Sequence, residues 1–319
     1  MKLNQTTVSC APVALFVYNR PLHTRLTVEA LLNNAESRDT PLVIYSDAPK
    51  NVAAVASVAE VRDYLSSVGG FHSLRIVIRD VNFGLARSIT AGVAELCREY
   101  GRVIVLEDDL ITSPDFLRFM NQGLALYEND AIVASIHGYA YPTGLDVHDP
   151  ESYFLRGADC WGWATWERAW QNFESDGTKL LSTLKSKGFG YRFDYDGNSS
   201  YVRMLRNQTL GRNDSWAIRW HASAFLNNML TLYPRVSLVA NIGFDNSGTH
   251  CGDADYFATE IGAAPAQLQR IELAENEAMR AKVVKFFRRL KWKRYRNAWR
   301  RVIPMLRKYL SHIFGASEK

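Results

Sequence analysis

The chain has 319 residues, 47% hydrophobic and 22% charged, with 38 Lys+Arg against 33 Asp+Glu. That composition belongs to a globular protein with a large core and excludes a wholly disordered, collagenous or coiled-coil chain. The charge is unevenly spread: residues 280–308 hold 13 Lys or Arg and no acid, while residues 1–279 hold 24 basic and 32 acidic residues.

Residues 12–18 form a short apolar run that reads as a buried strand, and it ends at Asn19-Arg20-Pro21. Residues 22–34 show helical spacing. PLVIYSD, 41–47, is a second strand ending on Asp47, and 52–68 is a second helix. Residues 74–78 are a third strand, Asn82-Phe83-Gly84 opens a turn, and 85–100 is a third helix. A fourth strand, 102–106, stops at Glu107-Asp108-Asp109. This alternation predicts an α/β fold with an open, mostly parallel sheet covered by helices. Ligands of such sheets bind beyond the carboxyl ends of the strands, where Arg20, Asp47, Asn82 and the acidic triplet fall. After residue 130 the pattern becomes irregular and aromatic-rich, as expected of the acceptor side of a cleft.

The expected organisation is one catalytic domain over 1–255, with a nucleotide-binding half (12–110) and an acceptor half (130–255). A connector follows over 256–279, then a basic amphipathic helix over 280–314, interrupted near Pro304. Cys10, Cys97, Cys160 and Cys251 contain no CxxC and read as free thiols of a reducing compartment. The N-terminal stretch is too short for a signal peptide, and no apolar run reaches the roughly 18 residues of a membrane span.

Three adjacent carboxylates at the end of a buried strand repel one another. A hard divalent cation with oxygen ligands relieves that cost and bridges diphosphate oxygens; a solvated, helix-capping loop is the simpler alternative. Asp47 is placed to accept from a uracil imide or a ribose hydroxyl, or else to form an Asx-turn. Arg20 suits a nucleotide phosphate or base, or a surface ion pair. Asn82, Gly84 and Arg87 lie where a helix start offers N–H groups to an anion; a plain turn is equally consistent.

Trp161 and Trp163 flank Gly162 in CWGWATW. Flat rings pack on the C–H faces of sugars, and glycine allows close backbone approach; an aromatic core cluster is the commoner use of such residues. Asp214, in NDSW, is the candidate base that takes the proton from an acceptor hydroxyl, or the N-cap of the helix after it. Asp159, Asp194 and Asp196 compete for the base role. His250, in a Gly-flanked loop, suits the diphosphate or a metal shell, although a lone His is more often structural than a ligand.

At VIVLEDDLITSPDFLRFM, with LFVYNRP, IYSDAPKN, CWGWATWERAW, NDSW and GFDNSGTH in order around it, the chain resembles the GT-A glycosyltransferases. It is similar in particular to the N-acetylglucosaminyltransferase I family and its bacterial relatives. The resemblance covers residues 12–252 and implies a nucleotide-diphosphate sugar donor, such as a UDP-sugar, and Mn²⁺ or Mg²⁺. It implies Asp109 as the metal ligand and Glu107 and Asp108 at the ribose and donor sugar. Asp47 would meet the uracil, Arg20 and Arg87 the nucleotide, and His250 the phosphates, with Asp214 as the base of an inverting transfer. The first functional reading is an inverting glycosyltransferase that builds a cell-surface polysaccharide or glycolipid, with a glycan or lipid-linked hydroxyl as acceptor.

The basic helix predicts a peripheral protein at an anionic, cytoplasmic membrane face. Val284, Phe287, Tyr295, Trp299 and Val302 form the expected inserted stripe; docking of that stripe on the domain is the alternative. The acidic body disfavours nucleic acid. A nucleotidylyltransferase is the rival enzyme, but YNRPLHTRL carries no glycine where such enzymes have a Gly-rich loop. A catalytically dead scaffold is the non-enzyme alternative.

Overall fold

The computed structural model describes residues 10–144, 146–245 and 254–314; side chains are described as far as residue 296. Strands β1 (Val13–Val17), β2 (Pro41–Ser46), β3 (Ser73–Ile78) and β4 (Arg102–Glu107) alternate with helices α1 (Pro21–Leu32), α2 (Val55–Leu65) and α3 (Leu85–Tyr100). β1, β2 and β4 are continuous apolar runs because both sheet faces are covered. β3, at the edge, is only partly buried. Pro21 opens α1, where its missing N–H costs nothing. In α3 the buried Ile89, Val93, Leu96 and Cys97 follow helical spacing, and Gly101, at φ +75°, ends it.

The second half adds β5 (Leu110–Thr112), α4 (Phe116–Leu126), β6 (Val133–His137), β7 (Ser152–Arg156) and β8 (Trp163–Trp166). It continues with α5 (Glu167–Trp170), α6 (Gly177–Ser186), α7 (Gly190–Phe193), α8 (Tyr201–Thr209) and α9 (Trp216–Leu226). β9 (Leu230–Pro234), β10 (Val239–Asn241), α10 (Ala254–Phe257) and α11 (Glu277–Phe314) complete the chain.

Eight strands form one sheet in the order β3-β2-β1-β4-β8-β6-β9-β7, flanked by helices. β8 runs antiparallel to β4 and β6, and β7 antiparallel to β9; the remaining pairs are parallel. The carboxyl ends of β1, β2, β4 and β6 therefore share one edge. β5 and β10 pair separately, antiparallel, just beyond β4.

The connector is bound to the domain rather than free. The Ala264 N–H donates to Asp115, Leu268 N–H to Gln122 and Ile271 N–H to the Tyr127 hydroxyl. Val283, Val284, Phe286, Phe287 and Leu290 of α11 then enter the same core as β1 and β4. Phe287 stacks on Tyr195 at 5.0 Å. Arg280 binds both oxygens of Asp196 at 3.2 and 2.6 Å, and Lys282 pairs with Asp149. Tyr195 and Asp196 hold φ of +47° and +56°, a left-handed conformation that costs each side chain about 1–3 kcal/mol. The Arg280 pair offsets that cost and ties the loop to the helix.

Two readings of α11 are corrected here. Val284 and Phe287, placed on a membrane stripe, are buried in the core, because the i, i+3, i+4 and i+7 pattern from Val283 faces the domain. The helix also runs through Pro304 without a break. Trp299 and Val302 lie where no side chain is described. Phe287→Ala should lower the unfolding free energy by about 3–5 kcal/mol, measured by urea denaturation. A loss under about 1 kcal/mol would show that the helix is not part of the core.

Candidate functional site

At the end of β4, Glu107 pairs in register with Phe16, and Asp108 and Asp109 turn the chain into β5. Asp108 is buried. One of its oxygens accepts from the Tyr18 N–H at 3.3 Å, and its carbonyl accepts from the Thr27 hydroxyl at 2.8 Å. Arg20, just past β1, donates to Asp109 at 2.9 Å and lies 3.8 Å from Asp108. Burial, and then the Asp109 charge, push the Asp108 carboxyl up to about 7, and Arg20 only partly opposes this. Glu107 is raised well above its ordinary value by burial and by both neighbours. A single guanidinium does not balance three carboxylates.

The segment after β10 crosses the triplet. The Ile242 N–H donates to the Asp109 carbonyl at 2.9 Å. A Cβ on Gly243 would overlap the Asp109 carboxylate and come within 2.9 Å of Arg20. Phe244 sits edge-on to Trp161 at 5.6 Å, and Asp245 pairs with His23 at 3.2 Å. His250 lies outside the described residues.

Asp47 ends β2 with its carboxylate engaged inward. One oxygen accepts from the Ala48 and Phe83 N–H groups at 2.9 and 2.8 Å, the other from Gly84 N–H and Asn82 Nδ2 at 2.9 and 3.2 Å. Asn82 also donates to the Ala48 carbonyl at 2.6 Å. Both residues thus lock the start of α3 to β2. Arg87 is exposed, with its guanidinium 3.8 Å over the Phe83 ring.

Trp161 is half-buried, against Tyr139 at 4.8 Å. Trp163 has 0% exposure and packs among Trp170, Trp216 and Trp220, so its ring is core. Gly162, at φ +60°, is needed for close approach to Val239 and Phe116, which a Cβ would meet at 2.8 and 3.1 Å. Trp161 alone of the three keeps exposed surface.

Asp214 precedes α9, whose N-cap is Ser215 rather than Asp214. Its side chain is 76% exposed and pairs with Arg219 at 3.0 Å. Trp216, two residues on, stacks on Trp163, which pairs with Val105 two residues before Glu107. No contact among the described residues joins Asp214 to the triplet. Asp194 accepts the Val202 N–H at the start of α8, and Asp196 holds Arg280. Sequence reading missed the Arg20–Asp109 pair and the Gly243 crossing, both made across long stretches of chain.

Mn²⁺ or Mg²⁺ was the expected cofactor. Among the described residues, no group of three or more His, Cys, Asp or Glu is arranged to hold a metal ion by itself. The donor set still fits a hard cation that takes most of its ligands from phosphates and water. Carboxylate oxygens of Asp108 and Asp109 converge on one point, now met by Arg20, and the triplet is left short of positive charge.

No protein-family model and no curated sequence matches the chain. Among solved structures, the mannosyltransferase PcManGT of Pyrobaculum calidifontis, solved with GDP-Man and Mn²⁺, is 15% identical with a TM-score of 0.32, over 43% of this chain and 37% of that one. S. aureus TarS is 10% identical with a TM-score of 0.30, over 47% and 25%. The galactosyltransferase LgtC, solved with donor and acceptor sugar analogues, is 10% identical with a TM-score of 0.31, over 55% and 64%. The aligned region spans about a third and a quarter of the first two proteins. These superpositions are partial.

The raised carboxyls set a pH test. Between about pH 4 and about pH 7 the folded chain holds protons at Asp108 that the unfolded chain has released. Metal-free stability from this group is therefore greatest at the acid end and falls as pH rises through that window. A bound divalent cation favours the charged form. Mn²⁺ should raise the thermal midpoint more at about pH 7.5 than at about pH 5.5, and Asp108→Asn should flatten the difference. Equal shifts at both pH values would contradict the carboxylate assignment.

Proposed function

We propose that the protein is an inverting glycosyltransferase that moves a sugar from a nucleotide-diphosphate donor, with UDP as the nucleotide, to a hydroxyl of a glycan or lipid-linked acceptor. The observation that carries this reading is the triplet at the carboxyl end of β4. Its Asp108 is buried and its Glu107 and Asp109 half-buried, it is under-neutralised, and it is overlaid by a glycine where a side chain would not fit. A diphosphate brings negative charge to such a place only with a cation. When bound, Mn²⁺ or Mg²⁺ supplies the charge that stabilises the leaving diphosphate.

Asp109 is the proposed metal ligand, with Glu107 and Asp108 facing the ribose and donor sugar. Arg20 and Arg87 serve the nucleotide, and His250 the phosphates. Asp47 and Asn82 are proposed to shape the uracil side through the rigid start of α3. Trp161 supplies a ring face to a sugar. Asp214, oriented by Arg219, takes the proton of the attacking hydroxyl.

Asp109→Ala should abolish Mn²⁺-dependent hydrolysis of UDP-sugars while leaving far-UV circular dichroism unchanged. Asp214→Asn should lower turnover roughly 10²–10⁴-fold with donor binding kept. Full wild-type activity in EDTA would rule out the metal, and full activity of Asp214→Asn would remove that residue as base.

We further propose that the outer part of α11 attaches the protein to an anionic membrane at a cytoplasmic face. Among the described residues, no helix is long and apolar enough to cross a membrane. Lys285, Arg288, Arg289, Trp292, Lys293 and Arg296 line one open groove, and Trp292 is 70% exposed. Cations around an exposed Trp suit an interfacial helix, at about 1 kcal/mol per basic residue. Replacing Arg288, Arg289, Lys293 and Arg296 with Gln, which spares the docked face, should abolish sedimentation with phosphatidylserine vesicles. Wild-type binding should weaken with salt; unchanged binding of the variant would exclude this surface.

A further inference from the structure

Of the carboxylates in the second half, Asp194 caps a helix and Asp196 clamps Arg280, while Asp159 has no such duty. It lies in the loop from Gly157 to Gly162 that leads into β8. One oxygen, Oδ2, accepts from the hydroxyls of Tyr141 and Tyr233, each at 2.7 Å. Among the described residues, Oδ1 has no hydrogen bond, and no Lys, Arg or His pairs with the carboxylate.

The surroundings supply no counter-charge. The His137 imidazole is pushed down to about 4, chiefly by burial, and stays neutral. Its Nδ1–H donates to the Tyr139 carbonyl at 3.0 Å, and its Nε2 accepts from the Trp161 N–H at 3.1 Å. His221 is likewise buried and lowered, with Nδ1 at 2.8 Å from the Ala158 carbonyl. Burial and the Asp159 charge hold Tyr141 and Tyr233 in the neutral, donating form. A half-buried carboxylate without a cation is costly unless neutral donors complete its shell. The loop is rigid: Gly157, at φ +104°, lies so near His221 that a Cβ would come within 2.6 Å of the ring, and the Gly138 N–H donates to the Gly162 carbonyl at 2.6 Å. Trp161, two residues on, sits edge-on to Phe244 at 5.6 Å, and Phe244 follows the Gly243 that overlies Asp109, so this loop and the triplet are linked through that segment.

We propose that Asp159, Tyr141, Tyr233 and Trp161 form a subsite for a sugar ring of the acceptor. The open oxygen of Asp159 accepts from ring hydroxyls, and the Trp161 ring packs on a C–H face. A polyol is the ligand class that provides several neutral donors beside an apolar face. This subsite rests on the glycosyl-transfer reading and gives it an acceptor class. Tyr141 also packs against Phe286 and Phe287, at 5.9 and 5.6 Å, so the subsite is walled by α11.

The test measures UDP release from UDP-glucose, UDP-galactose and UDP-N-acetylglucosamine with Mn²⁺. Each is run in water alone and with the methyl glycosides of glucose, galactose, mannose and N-acetylglucosamine as acceptor probes. Wild type should hydrolyse at least one donor, and at least one glycoside should accelerate release. In Asp159→Asn the ratio of the stimulated to the water rate should fall at least about tenfold, and in Tyr233→Phe about three- to tenfold through a raised glycoside KM. An unchanged ratio in Asp159→Asn, or equal losses of both rates in a variant with wild-type thermal midpoint, overturns the subsite. So does donor hydrolysis that no glycoside stimulates. A wild type that hydrolyses none of the donors instead overturns the glycosyl-transfer reading beneath it.

Discussion

Three carboxylates at the end of one buried strand, faced by a single guanidinium, are the constraint around which the carboxyl edge of the first four strands is arranged. β4 is a central strand and Leu106 is fully buried, so Glu107 and Asp108 leave the core with little water around them. Arg20 reaches them only because β1 lies beside β4 in parallel register and ends at the same edge. The Tyr18 N–H and the Thr27 hydroxyl hold Asp108 from the same side. With Gly243 closing over Asp109, the charge is concentrated in a narrow place that water screens poorly.

A second polar arrangement stands apart from the first in kind. Around Asp159 the partners are two phenols, the nearby imidazoles bond to the backbone and stay neutral, and glycines stand at both ends of the loop. The first place concentrates charge, whereas the second surrounds its carboxylate with neutral hydroxyl donors. The sheet brings both to the carboxyl edge, the first through parallel β1 and β4 and the second through the loop into antiparallel β8.

The first four strands and three helices were legible in the sequence because buried parallel strands are unbroken apolar runs and the intervening helices are punctuated by Pro21, Gly84 and Gly101. The second half resisted such reading. β6, β7, β8 and β9 are short, and their order in the sheet departs from their order in the chain, so no local period reveals who pairs with whom. The residue types at the site were legible; their occupations were less so. Asp47 stood out as a strand-end carboxylate, yet the Phe83 and Gly84 N–H groups that fill it come from more than thirty residues away. Trp161 and Trp163 look alike in the sequence, but only the second has entered the strand and the core. In α11 the charge drew attention away from an apolar face that had the spacing of a docked helix.

That docked face has a consequence for how the chain is made. Residues 283–290 complete a core whose other members begin at Ala11, and they cover Tyr141, Tyr195 and Tyr201. During synthesis, at about 5–20 residues per second, those rings wait uncovered until nearly the whole chain has emerged. The nascent protein therefore carries an open aromatic face through most of its elongation, and a chain interrupted before residue 290 keeps it. Such a surface is what holding chaperones recognise and what partly made copies use to adhere to one another.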